Sequence, residues 1–184
     1  MTTTFKNLSI AAVGAILLAL GVGKAGLAAV ITFDTLSPGE IVDDQYWDMG
    51  IDFNGNPSVL TAGGGLAPAY PPVSGNNLSY NYPSDAIRVD AVGSSWESAG
   101  AYVTGIQKVT LTAYDANNRV LGTTSTSGSN YLNSGTGLPP NIFLRIIASD
   151  IAYVKFMAEK QLSGNSFTLD DFTFEPKRVA CPPH

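Results

Sequence analysis

The sequence predicts an all-β protein, an antiparallel β-sandwich of the jelly-roll kind. Short runs rich in Val, Ile, Thr, Phe and Tyr recur along the chain, the composition of half-buried strands. Between them lie clusters drawn from 19 Gly, 11 Pro and many Ser, Thr and Asn, which make turns. No segment beyond residue 29 carries a sustained helical period with caps.

Residues 1–29 stand apart from this pattern. Lys6 and the amino terminus give a positive start, residues 10–22 are nearly all Ala, Ile, Leu, Val and Gly, and Gly26-Leu27-Ala28-Ala29 offers small residues for cleavage. That is the three-part layout of a secretory signal peptide cut near Ala28 or Ala29. The apolar run is about 13 residues, short of the roughly 20 that span a bilayer. No Cys follows the run and no Glu interrupts it, which argues against lipid-modified and pilin-type leaders. The mature chain is therefore expected to be secreted, with no membrane span.

The sandwich is expected over residues 30–175. Val30-Ile31-Thr32-Phe33-Asp34 reads as the first strand and Ser37-Pro38-Gly39 as a turn. Gly50-Ile51-Asp52-Phe53 is a short strand that ends at Asn54-Gly55-Asn56-Pro57. A Gly/Pro-rich loop fills residues 61–77, and residues 86–92 alternate apolar and charged side chains as a strand. The clearest hairpin runs over residues 106–124. Val109, Leu111 and Ala113 share one face, Lys108, Thr110, Thr112 and Tyr114 share the other, and residues 115–118 make the turn. A polar loop over 125–140 precedes strands at 142–147, 152–156 and 167–174. Residues 176–184 are expected to form a loose tail.

Bulk chemistry narrows the function. The formal charge of −5 disfavours a nucleic-acid partner, because an acidic surface repels phosphates. One Cys excludes an intrachain disulfide and a cysteine-rich zinc site. Cys181 is left for an intermolecular disulfide or as a free thiol. The single His, His184, ends the tail, so a Ser–His–Asp triad is disfavoured. Gly93-Ser94-Ser95-Trp96 is no nucleophile elbow, and Gly63-Gly64-Gly65 lacks the Lys and Ser/Thr of a phosphate loop.

Two acidic segments mark opposite ends of the mature chain. Asp34 lies in the expected first strand, followed by Glu40, Asp43 and Asp44, and Asp170-Asp171 lies in the last. Terminal strands that meet at a sheet edge would bring these carboxylates together, where they would need a cation. Calcium, which takes six to eight oxygen ligands, is the expected structural ion, with Asp34, Asp170 and Asp171 as its metal ligands. Neighbouring strand residues point to opposite faces, so only one of Asp170 and Asp171 is expected to share the site through its side chain. The alternative is solvated strand ends and turns. A glycosidase pair of carboxylates is a further alternative, but no acid sits in a catalytic motif.

Aromatic residues near loops point to ligand binding. Tyr70, Tyr80, Tyr82 and Trp96 flank the long loop and are the candidates for an exposed cluster that stacks on sugar rings. Core packing is the competing role for each.

The opening Ile31-Thr32-Phe33-Asp34, the hairpin Val109-Thr110-Leu111-Thr112-Ala113-Tyr114-Asp115-Ala116-Asn117, the return Val120-Leu121-Gly122-Thr123 and the closing Phe167-Thr168-Leu169-Asp170-Asp171-Phe172-Thr173-Phe174 resemble the secreted bacterial β-sandwich domains found in PEP-CTERM proteins. These are similar to galactose-binding-like jelly rolls and carbohydrate-binding modules. The resemblance covers most of residues 30–175. It implies a surface-associated or extracellular domain without catalysis, often with a structural calcium near its terminal strands, and Asp34, Asp171 and then Asp170 as the residues to test. Phe174-Glu175-Pro176-Lys177 is followed by no apolar run, so no sorting tail is expected, and free secretion is. The expected function is non-catalytic binding of a glycan or matrix component. A self-associating structural protein of a matrix or surface layer is the alternative, and a carbohydrate-active enzyme comes after it.

Overall fold

The computed structural model describes residues 28–55, 57–64, 67–82, 84, 86–159 and 167–178. The expected leader up to residue 27 and the tail beyond residue 178, with Cys181 and His184, lie outside the described residues. Among those described, no helix is long and apolar enough to cross a membrane.

The chain folds as two antiparallel sheets packed face to face. The strands are β1 (Ala29–Ile31), β2 (Ile51–Asp52), β3 (Ser58–Thr61), β4 (Asn77–Tyr80), β5 (Ala86–Ala91), β6 (Trp96–Gly105), β7 (Val109–Tyr114), β8 (Val120–Ser125), β9 (Ile142–Ile151), β10 (Tyr153–Ala158) and β11 (Phe167–Pro176). Sheet A has the order β3-β4-β11-β6-β9, with β1 also paired to β11, and sheet B the order β2-β5-β10-β7-β8.

Alternation along the strands builds the core. In β7, Val109, Leu111 and Ala113 are buried and the residues between them are not, as their spacing predicts. Across sheet B, Val89, Val154 and Ala113 stand in one inward-facing row. Sheet A answers with Ala99, Ala101, Val103, Leu169, Phe172 and Phe174. Trp96 belongs to this core. Its ring lies 5.2 Å from Phe174 and 5.9 Å from Phe172.

The terminal strands do meet, along one edge of sheet A: among the described residues β1 is paired to β11 alone. β1 pairs with the second half of β11 (Ile31 opposite Phe172), while β4 pairs with its first half (Thr168 opposite Tyr80). β6 runs along the other side of β11, so the last strand is interior. Asp34 lies just past β1, because Phe33 adopts φ 63° and turns the chain. The Phe33 ring still reaches the core and packs edge-on against Phe53 at 5.5 Å. At the other end the chain stays docked beyond Glu175. Pro176 pairs with Trp96, the Lys177 amide donates to the Ser95 carbonyl, and Lys177 Nζ reaches Asp150 at 2.5 Å.

Candidate functional site

The long loop between β3 and β4 crosses the outer face of sheet A, and acidic side chains hold it there. Its Gly, Pro, Ser and Asn content gives it no strand period, so its backbone donors and acceptors must find partners elsewhere. Ala69 accepts from the Leu132 amide, and Pro71 accepts from Asn141 Nδ2 at 3.0 Å. Val73 and Ser74 donate their amides to Asp170 Oδ2 at 2.6 and 3.2 Å, and Ser74 Oγ donates to Asp171 Oδ1 at 2.6 Å. Asn76 and Asn77 donate theirs to Asp34 Oδ1 at 2.7 and 3.0 Å.

A β-bulge explains how both neighbouring aspartates reach the loop. The register of β11 on β6 shifts between Asp170 and Thr173, and Asp171 takes φ 45°. The extra residue lets Leu169 and Phe172 both face the core while Asp170 and Asp171 both engage the loop. Strict alternation would have turned one of them inward, whereas here both side chains reach the same loop.

Asp170 is 1% exposed. Burial raises its pKa to about 6, against the lowering effect of amide bonds from Val73, Ser74 and Asp171, and the nearby Asp171 charge raises it further. Its oxygens face N–H donors, the arrangement of an anchor. Among the described residues no group of three or more Asp, Glu, His or Cys side chains is spaced to hold a metal ion. Asp34, Asp170 and Asp171 thus converge on one loop, and what they are seen to hold is its backbone and Ser74.

The same loop and β4 gather the tyrosines. Tyr70, at the loop's middle, is buried against Tyr80, with ring centroids 6.4 Å apart. Tyr80 and Tyr82 lie on one side of the chain, 6.2 Å apart with planes within 15°. Tyr82 is 66% exposed and ends the row. Trp96 takes no part. It is 1% exposed, because it faces the inter-sheet core from β6, and its place in an exposed cluster is corrected. The acidic set and the tyrosine set, far apart in sequence, are two ends of one construction: carboxylates pin the loop, and the loop backs the row.

Sequence reasoning missed the residues that complete this construction. Asn77 ties its Nδ2 to the carbonyls of Phe33 and Leu36, and Asn141 links the loop to Thr104 on β6. Gly75, at φ 51°, sits hard against the Asp34 carboxylate. The Gly75-Asn76-Asn77 run was a signal for a turn, but not for the partner it turns against.

No family profile matches the chain, and no curated protein does. Solved structures do resemble it. A DUF4465 family protein from Bacteroides caccae is 13% identical, with 82% of this chain and 100% of that one aligned at a TM-score of 0.53. The K2 cleaved adhesin domain of Lys-gingipain is 13% identical, covering 80% and 99%, at a TM-score of 0.43. A point mutant of a family 29 carbohydrate-binding module is 12% identical, covering 80% and 89%, at 0.41. At these identities the likeness is one of fold, and the fold is the antiparallel β-sandwich that the strand order describes.

Proposed function

We propose that the protein is an exported, non-catalytic binding domain that holds a glycan or extracellular matrix component on the tyrosine row. The observation that carries this reading is the Tyr80–Tyr82 pair, nearly parallel and ending in an exposed ring. An aromatic face offers the C–H side of a sugar ring a broad apolar contact without a large conformational penalty. Three carboxylates fixing the adjoining loop supply the rigidity that such a contact needs. Asp170, the acid with a raised pKa, spends Oδ2 on the loop amides of Val73 and Ser74 and Oδ1 on the Asp171 amide, which suits support better than proton transfer. Kinship with the sandwiches of PEP-CTERM proteins and export by residues 1–29 belong to the same proposal.

Depletion of the purified protein from solution by insoluble cellulose, xylan and chitin tests it. The expected result is depletion by at least one polymer, lost in Tyr82→Ala at unchanged melting temperature. No depletion by any of them, or depletion of Tyr82→Ala equal to that of the parent, contradicts it.

A structural calcium ion at Asp34, Asp170 and Asp171 is a separate proposal, supported by the convergence of acids from both ends of the chain on one loop. A self-associating structural unit is the second reading. Ile147, 74% exposed on the edge strand β9, favours it together with exposed Phe143 and Val30 on sheet A.

A further inference from the structure

The outer face of sheet B carries a second construction, on the opposite side of the sandwich from the tyrosine row. Register places Asp52, Asp90, Tyr153, Tyr114 and Val120 in one row across all five strands. The next row is Arg88, Lys155, Thr112 and Thr123. The intervening positions Val89, Val154 and Ala113 are buried, so both rows face outward.

Tyr153 is enclosed from both sides. Tyr114 stacks on it from β7 at 4.6 Å with planes within 10°, and the Arg88 guanidinium lies 3.9 Å from its centroid on the β5 side. Asp90 holds Arg88 through Nε and Nη2. Two turns fix one end of the row and its centre. Asn54 Nδ2 donates to Asp90 while the Asn54 amide donates to Asp52, and Tyr153 Oη donates to Asn118 Oδ1 at 3.0 Å. Both asparagines take left-handed backbone, with φ 57° and 61°. Beyond Tyr114, the edge strand β8 offers only Val120, which is 54% exposed.

We propose that this face is a second glycan-contact site, for an uncharged, hydroxyl-rich polysaccharide chain lying across the strands. The charges of the face are balanced: Arg88 and Lys155 stand against Asp52 and Asp90, and Arg88 is already neutralised by Asp90. A polyanion gains little there, and a mainly apolar protein surface would meet rows of Thr, Lys and Asp. A hydroxyl-rich chain matches both the fixed polar groups and the ring edge and outer side of Tyr114. Five strands at about 4.8 Å spacing make a face about 19 Å wide, room for several sugar rings. Tyr153, covered on both sides, positions the face, and Tyr114 touches the ligand. With the tyrosine row on the other sheet the domain would grip two chains at once and cross-link them. That bivalent part rests on the reading proposed above, whereas the sheet B site does not.

Affinity electrophoresis in gels of soluble β-glucan, xylan, galactomannan and alginate tests it. Parent, Tyr114→Ala, Thr123→Arg and Tyr82→Ala are compared, with melting temperatures measured in parallel. Thr123 is exposed on an edge strand, so the arginine blocks the face without disturbing the core. The expected result is retardation of the parent by at least one neutral polymer. Tyr114→Ala and Thr123→Arg should each weaken it about tenfold or more. Retardation unchanged in folded Thr123→Arg and Tyr114→Ala, but lost in Tyr82→Ala, overturns the second site and leaves the tyrosine row standing. The reverse pattern supports the second site and removes the tyrosine row. No retardation of the parent in any neutral gel, or retardation by alginate alone, overturns the proposal.

Discussion

Gly75 lies so close to Asp34 that a Cβ on residue 75 would stand 2.0 Å from Oδ2 of the aspartate. Its φ of 51° is itself a conformation that side chains disfavour. Gly75→Ala must therefore push the Asp34 carboxylate away and release the Asn76 and Asn77 amides it binds. We expect a loss of about 2–4 kcal/mol in urea unfolding. Gly63, on the same loop at φ 86° but with open space around it, is the control. Gly63→Ala should cost only the backbone strain, about 1 kcal/mol. Equal losses at the two positions would show that the contact with Asp34 carries no weight.

Asp170 gives stability a pH dependence of definite sign. Its folded pKa is raised, to about 6, above the ordinary carboxylate value, so the native state holds the proton more tightly than the unfolded chain does. Its contribution is fully present below pH ~4 and is lost as pH rises through about 6. The difference in unfolding free energy between parent and Asp170→Asn should therefore shift against the parent from pH 4 to pH 7. Urea unfolding at pH 4, 5, 6 and 7 reads this directly. A constant difference across that range would mean that the carboxylate titrates as an exposed one.

Trp96 and Tyr82 should separate stability from binding. Trp96→Ala empties a site between Phe172 and Phe174 and should cost about 3–5 kcal/mol. Tyr82→Ala removes an exposed ring and should change stability by about 0.5 kcal/mol at most. Thermal unfolding of the two variants checks both. A destabilised Tyr82→Ala would make that ring a structural one.

If calcium binds at the acid-pinned loop, the ion should raise the melting temperature of the parent by binding the native state. The rise should vanish in Asp34→Ala and in Asp171→Ala. Thermal unfolding with millimolar calcium and with a chelator decides it. Identical parent curves would leave the three aspartates to the hydrogen bonds they make.

Most of the fold was legible where alternation was strong. β7, with Val109, Leu111 and Ala113 inward, needed no more than its period, and the turn at Asp115 was written in its Asx chemistry. Asp115 Oδ1 accepts the amides of Asn117 and Arg119. β6 was not legible. Its Ser98, Ala99, Gly100 and Ala101 look like loop, yet it is the strand between β11 and β9. Close approach explains the small residues: a Cβ on Gly100 would stand 2.4 Å from the Leu144 carbonyl oxygen. The acidic ends of the chain were recognised as a pair because they are dense in charge. Their partner was hidden, because backbone amides at residues 73–77 leave no trace in side-chain identity. The bulge at Asp171 was hidden too, since one inserted residue reverses the facing that alternation predicts. The Tyr114–Tyr153 stack joins strands 39 positions apart, a distance that no local pattern spans.

In the proposed function the aspartates fix the loop so that the tyrosine row can bind. Calorimetric titration of a neutral oligosaccharide, taken from whichever polymer retains the protein, into parent, Tyr82→Ala and Asp34→Ala reads this coupling. We expect measurable binding by the parent and about tenfold or greater weakening in Tyr82→Ala. Asp34→Ala should weaken too, although its carboxylate lies behind the loop bound to Asn76 and Asn77. Parent-like affinity in both folded variants would mean that neither the exposed ring nor the pinned loop carries binding.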